Sequence, residues 1–458
     1  MATTNHHTAS DAFAGQLQAE AVRHLQALLK LDTTSPPGHE RLAADYIATQ
    51  LDAEGIPYEI VESAPTRANL VARLKADAPS APPLLLMGHT DVVSVERDKW
   101  ERDPFGGELD ADGFVWGRGA LDMKSMVAGE LTIFLELKRQ GIPLDRDVIF
   151  AAFADEEVSG ELGAGWVYQH RNDLIGDAEY ALNEGGGYPV TVGGVTFLGL
   201  GSGEKGQSIV RITFRGKPGH ASTPLPDTAV AKLGRALVLL DAWEPEFTIT
   251  TPVRRTLEGL AAIQTGEVKA HLEALLAKDA PAWDDLAAVL TSEREQRSFW
   301  AVTHHTAVPT LIGAGERINV IPSEVTVDVD CRILPGITPE GWRDLVQEVV
   351  GDLGEVELLT RNEGIAFDPA SPFADAIQAT VDGLLPGTAV IPALIGGRTD
   401  AAHLKSIKTY GFWPVQPGER VKDYMGLAHG HNERVHVDDV GFGTRFGWNL
   451  VTSFAAKG

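Results

Sequence analysis

The sequence has 458 residues, 43% of them hydrophobic, with 64 acidic against 39 basic side chains and a formal charge of -25. That is a globular composition, long enough for two or three domains. The acid excess argues against a nucleic-acid surface, which needs clustered Lys and Arg, and fits a strongly solvated exterior.

The start, MATTNHHTASDAF, has no basic n-region and no apolar h-region, so it reads as a short disordered arm with solvent-exposed His6 and His7. Residues 13–31 carry Leu17, Ala21, Leu25, Leu28 and Leu29 at helical spacing, and DTTSPPG ends that helix. A second helix is expected over 39–54, then strands at 57–62, 68–74 and 84–88. The last is the apolar run LLLMG, which His89 and Asp91 follow at once. After GRGALD a helix runs to Gly141, then comes a strand at 147–153, which leads into Asp155-Glu156-Glu157. A helix over 161–170 and a strand at 180–182 follow, the strand ending in Asn183-Glu184-Gly185. Strands alternating with helices argue an α/β fold, a mostly parallel sheet flanked by helices.

The texture changes near residue 198. QSIVRITFR (207–215) and 325–334 alternate as half-exposed strands, with helices expected at 227–242 and 338–352 and a mixed, partly helical stretch at 250–305. This reads as an inserted α+β domain, 198–362, within a catalytic domain made of 1–197 and 363–458. The one cysteine, Cys331, excludes an intrachain disulfide and reads as a small buried strand residue. From 363 the α/β texture returns, with a helix at 372–384, the turn GGRTDA, a polar loop GLAHGHNE and a terminal helix from Asp438. No run approaches about 18 apolar residues, so no membrane span is expected and the protein is assigned to the cytoplasm.

The strand-end residues His89, Asp122, Glu156, Glu157, Glu184 and His429 form one set. In open α/β sheets ligands bind outside the carboxyl ends of the strands. Imidazole and carboxylate suit zinc without cysteine. Five ligands serve two ions if one carboxylate bridges, and Asp122 is the natural bridge. Glu156 and Glu157 directly follow a strand and should point opposite ways, one to a metal and the other free as a general base. His89 and Asp91, two apart on extended chain, point the same way, as a ligating histidine and its carboxylate partner do.

GHTDVV, GRGALDMKS, ADEEVSG, NEGGG, GHAS and NVIP, in this order along nearly the whole chain, resemble the co-catalytic zinc aminoacylases and carboxypeptidases. That family includes succinyl-diaminopimelate desuccinylase, acetylornithine deacetylase and glutamate carboxypeptidase. The resemblance implies two zinc ions, with Co or Mn as substitutes. It implies His89, Glu157, Glu184 and His429 as ligands, with Asp122 bridging. It makes Glu156 the base and Asp91 the partner of His89, and gives Asp122-Met123 a cis peptide bond. The inserted domain would be a lid that forms a homodimer, with His220 stabilising the oxyanion in a neighbouring site. Asn319, Arg332 and Gly397 would bind the substrate carboxylate. TAVPTLIGAGERINVIP together with the long 250–305 stretch looks closer to the vacuolar-type Gly-X carboxypeptidases and their bacterial relatives. Arg398 is an added cation that either reads a second anionic group or is a solvated loop residue.

The expected reaction is hydrolysis of an amide in a small N-acyl amino acid or short peptide with a free carboxylate, a dipeptidase or a succinyl or acetyl deacylase being the alternatives. No nucleic-acid or membrane partner is expected. A two-metal phosphatase would need basic residues among the ligands, and none is close in sequence. A catalytically silent binding protein on the same fold conflicts with the intact ligand set.

Overall fold

The structure, a computed structural model, describes residues 8–418, 420 and 424–457. His6 and His7 lie outside the described residues. Two compact units emerge: Met1–Ser202 with Phe367–Ile391 and Thr399–Gly458, and Gly203–Ala366 with Pro392–Arg398. Gly397, placed with the catalytic domain from sequence, thus belongs to the second unit.

In the first unit the sheet order is Tyr58–Ala64, Arg67–Leu74, Val148–Phe153, Leu84–His89, Tyr180–Asn183, Lys408–Gly411 and Val195–Glu204. The four strands from Val148–Phe153 to Lys408–Gly411 are parallel and the flanking pairings antiparallel, so the sheet is mixed. Both Leu84–His89 and Val148–Phe153 are buried along their whole length. Their side chains alternate between two cores: Leu84 and Leu86 enter one, Leu85 and Met87 the other. A strand covered on both faces needs this unbroken apolar run.

One core is roofed by three long helices, Asp11–Leu29, Lys124–Arg139 and Val437–Ala455. Asp11–Leu29 begins at Ser10, whose hydroxyl accepts the Phe13 N–H, and buries Leu17, Ala21, Leu25 and Leu28 along one stripe. Lys124–Arg139 lies between the sheet and the other two helices and is buried from Lys124 to Leu135. Parallel register aligns the strand ends, with His89 beside Phe153 and Leu86 beside Leu182. The residues that follow these strands therefore emerge along one rim.

The second unit has an antiparallel sheet of Thr306–Ala314, Glu324–Ile333, Val210–Arg215 (with the short Gly206–Gln207) and Glu355–Leu358. Glu324–Ile333 alternates buried and half-exposed residues as expected, and Cys331 is buried, its thiol pushed up to about 12 by burial. Helices Ala229–Asp241 and Pro339–Val350 cover one face. The 250–305 stretch folds as four helices, Thr251–Ile263, Gly266–Leu276, Trp283–Ala287 and Glu293–Thr303. Among the described residues no helix is long and apolar enough to cross a membrane.

Candidate metal centre

Two donor sets form at the strand ends of the first unit. His89, Asp122 and Glu184 make one; Asp122, Glu157 and His429 make the other. Within each set the ligand atoms lie within 4.8 Å of one another, and Asp122 belongs to both. His89 Nε2 is 3.2 Å from Asp122 Oδ1 and 3.6 Å from Glu184 Oε1. His429 Nε2 is 3.1 Å from Asp122 Oδ2 and 2.9 Å from Glu157 Oε2. Donors at zinc-ligand distance in a tetrahedral site lie about 3.3 Å apart, so these spacings suit ions bound between them.

The hydrogen-bond pattern fits the same use. His89 Nδ1 donates to the main-chain carbonyl of Asp91 at 3.0 Å, so Nε2 is the ring nitrogen turned to the carboxylates. The expected partner, the Asp91 carboxylate, is 3.5 Å away and is otherwise engaged. Its two oxygens accept the N–H groups of Glu156 and Glu157 at 3.2 and 3.1 Å. Asp91 therefore serves both the histidine and the glutamate pair.

Glu156 and Glu157 do not point opposite ways. Glu157 meets His429, and Glu156 Oε2 comes to 3.8 Å from His89 Nε2. The strand has ended at Phe153, and Asp155 has φ +71, so the pair sits in a turn where strand alternation no longer applies. Glu156 belongs to neither donor set.

Burial pushes the Glu156, Glu157 and Glu184 carboxyls upward, with neighbouring carboxylates adding to the effect. The hydrogen bonds to Asp122 and Glu157 push the His429 imidazole up to about 10. Glu157 Oε1 is buried without a hydrogen-bond partner. Several acids close together with an orphaned oxygen and no Lys or Arg in either set are the environment a divalent cation neutralises, so the donor chemistry fits the two implied ions.

A second layer holds Asp122. Glu433, fully buried, accepts the main-chain N–H groups of Gly119, Leu121 and Asp122 at 3.0, 2.7 and 3.1 Å. Arg118 donates to Glu433 at 2.7 Å and to the carbonyl of His429 at 3.2 Å, tying the two loops together. The Asp122-Met123 peptide bond is cis, as the resemblance implies. His431 is directed elsewhere, to Glu96 at 2.9 Å.

Residues 85–452 match peptidase family M20/M25/M40. The chain belongs to this family. M20 membership makes it a metal-dependent amide hydrolase. Aminoacylase-1 from Mus musculus is 25% identical over 425 residues, covering 90% of this chain and 89% of that one. The N-fatty-acyl-amino acid synthase/hydrolase PM20D1 from Xenopus tropicalis is 28% identical over 383 residues, covering 81% and 72%. In fold the M20 chain is similar to the metallo-carboxypeptidase Sso-CP2 from Sulfolobus solfataricus, with TM-score 0.69 and 18% identity over 94% of this chain and 98% of that one.

The remaining expected site residues lie in the second unit of this M20 hydrolase. His220 pairs with Val320 in a short ribbon, and Asn319 accepts the Ala221 N–H at 3.0 Å beside it. His220 Nδ1 accepts the Ser222 N–H at 3.1 Å, so its Nε2 carries the proton of the neutral ring. Arg332 is held by Asp330, Nε to Oδ1 at 2.8 Å and Nη2 to Oδ2 at 3.2 Å, which leaves Nη1 uncommitted to that carboxylate. Gly397 is exposed. The sequence reading missed Asp400, a buried carboxylate that adds to the field on Glu156 and Glu184. Its position in GGRTDA, at the head of a short 3-10 turn, Asp400–His403, was the available signal.

Proposed function

We propose that the protein hydrolyses the amide bond of N-acyl amino acids or short peptides bearing a free carboxylate, using two zinc ions held by His89, Asp122 and Glu184 and by Asp122, Glu157 and His429. The carrying observation is that Asp122 is shared by both donor sets while Glu156 lies beside them and belongs to neither. Bound zinc would supply Lewis acidity for the scissile carbonyl and lower the pKa of a water.

Glu156 takes a proton from the attacking water at its carboxylate and returns it to the leaving nitrogen. The Asp91 carboxylate holds the Glu156 and Glu157 amides and so sets the aim of both side chains. His220, with its Nε2–H free to donate, stabilises the developing oxyanion, a contribution that is often the largest single one in acyl transfer. Arg332, Asn319 and Gly397 receive the free carboxylate and confine cleavage to the adjacent bond.

A homodimer through the inserted domain is part of this reading, with His220 serving the partner's site. Thr306–Ala314 is an edge strand whose Val308, Leu311 and Ile312 are exposed, and apolar edges of this kind are ordinarily covered. The test is a panel of N-acetyl, N-succinyl and long-chain N-acyl amino acids with dipeptides, on zinc-loaded protein. Cleavage of members with a free α-carboxylate and none of their amidated forms is expected. Equal cleavage of the amidated forms, or of none, overturns the proposal.

A further inference from the structure

The turn that carries Glu156 and Glu157 opens with Asp155 at φ +71, a conformation that a residue with a Cβ adopts only when held. Arg67, on the neighbouring strand Arg67–Leu74, donates from Nη2 to Asp155 Oδ1 at 2.7 Å. The same guanidinium donates from Nε to Glu40 Oε2 at 2.9 Å, with Nη2 2.8 Å from Glu40 Oε1. Ser35 Oγ and the Pro37 carbonyl accept from it at 3.1 and 3.2 Å. A Cβ on Gly38 would fall 2.3 Å from Arg67 Nε, so the guanidinium lies directly against bare backbone there. Arg67, Glu40 and Asp155 are 6%, 0% and 2% exposed.

Asp155 passes this hold on to the turn. Its Oδ2 accepts the Ser159 hydroxyl at 2.9 Å and the Leu162 N–H at 3.0 Å. Its carbonyl accepts the N–H groups of Val158, Ser159 and Gly160. Its own N–H donates to Glu40 at 3.3 Å. The glutamate pair is therefore gripped from two sides, by Asp91 through its amides and by Arg67 through Asp155. A buried ionic group of this kind adds little net stability over a well-packed apolar one, so geometry is the better account of its use here.

We propose that Arg67 is a positioning residue for amide hydrolysis: through Asp155 it fixes the turn that presents the Glu156 carboxylate. The inference rests on the reading of Glu156 as the base. A displacement of about 1 Å at such a group can cost about a hundredfold in rate.

Arg67→Lys keeps the charge but loses the fork that reaches two carboxylates at once. It should lower kcat at least tenfold per metal-loaded chain, with KM within threefold of the parent and two ions per chain by elemental analysis. Glu40→Gln, close in shape, should show the same pattern with at least a threefold fall, and it decides the matter if Arg67→Lys does not fold. A smaller fall in kcat, a loss carried by KM, or a lost ion overturns the positioning role. A parent chain that cleaves no amide overturns the reading of the reaction instead, and the positioning role with it.

Discussion

Two regions of the molecule treat buried charge in opposite ways. At the strand ends of the first unit, Asp122, Glu156, Glu157 and Glu184 converge with two imidazoles and no ammonium or guanidinium in either donor set. In the second unit buried or half-buried ions are answered locally. Lys205 donates to the carbonyls of Ala301 and His304 at 2.7 Å each, and Arg211 is forked by Asp328 at 2.6 and 2.7 Å. The first arrangement suits a bound cation. The second is charge used as joinery, with Lys205 fastening the end of helix Glu293–Thr303. Burial alone does not separate a site from a strut; several like charges gathered without a counter-charge do.

The sharpest way to break the contrast is at Glu156. If it is a base and not a ligand, Glu156→Gln keeps both metal ions while kcat falls by about 100-fold or more. Loss of an ion from this variant would move Glu156 into the donor set and Glu157 out of it. The next largest effect is expected at His429, which meets Asp122 and Glu157, whereas His431 meets Glu96. His429→Ala should lower metal content towards one ion per chain, and His431→Ala should leave it at two. The reverse result would reassign the ligand.

The smallest effect tests the joinery. Burial, then the charge of Arg332, hold the Lys205 ammonium down to about 7. An unfolded lysine keeps its proton to about 10.4, so between these values the unfolded chain binds more protons and stability rises with pH. The slope is at most about 1.4 kcal/mol per pH unit. Urea unfolding at pH 7 and pH 9.5 should show the parent gaining on Lys205→Met across that interval. A difference that does not change with pH would mean Lys205 keeps its proton in the fold.

Part of the candidate site was legible because apolar runs end abruptly in polar residues, and parallel pairing brings those ends to one rim. His89, Glu156, Glu157 and Glu184 come together in this way, whereas Asp122 and His429 stand on loops that Glu433 and Arg118 tie together. The sheet order was not legible, since Val148–Phe153 inserts between strands that precede it in the chain. The opposed aim expected of Glu156 and Glu157 failed because hydrophobic periodicity carries no information about a left-handed residue at 155. The ion pair of Arg332 with Asp330, two residues earlier on the same strand face, was not anticipated, although the spacing was open to view. Arg67 gave no signal at all. Its acids stand 27 and 88 residues away, and a charged residue opening a strand looks like surface.

The pairing of Arg434–His436 with Phe114–Trp116, and of Glu433 with the amides around Asp122, has a consequence for biosynthesis. A ribosome delivers residue 122 long before residue 433, by tens of seconds at about 5–20 residues per second. Until then the Gly119–Asp122 amides lack their carboxylate and one donor set lacks its imidazole. A nascent or prematurely terminated chain can present His89, Asp122 and Glu184 but cannot assemble the second triplet. On the proposed reading, hydrolytic competence is withheld from chains that end between residues 184 and 429, and such chains should bind fewer ions than the full chain.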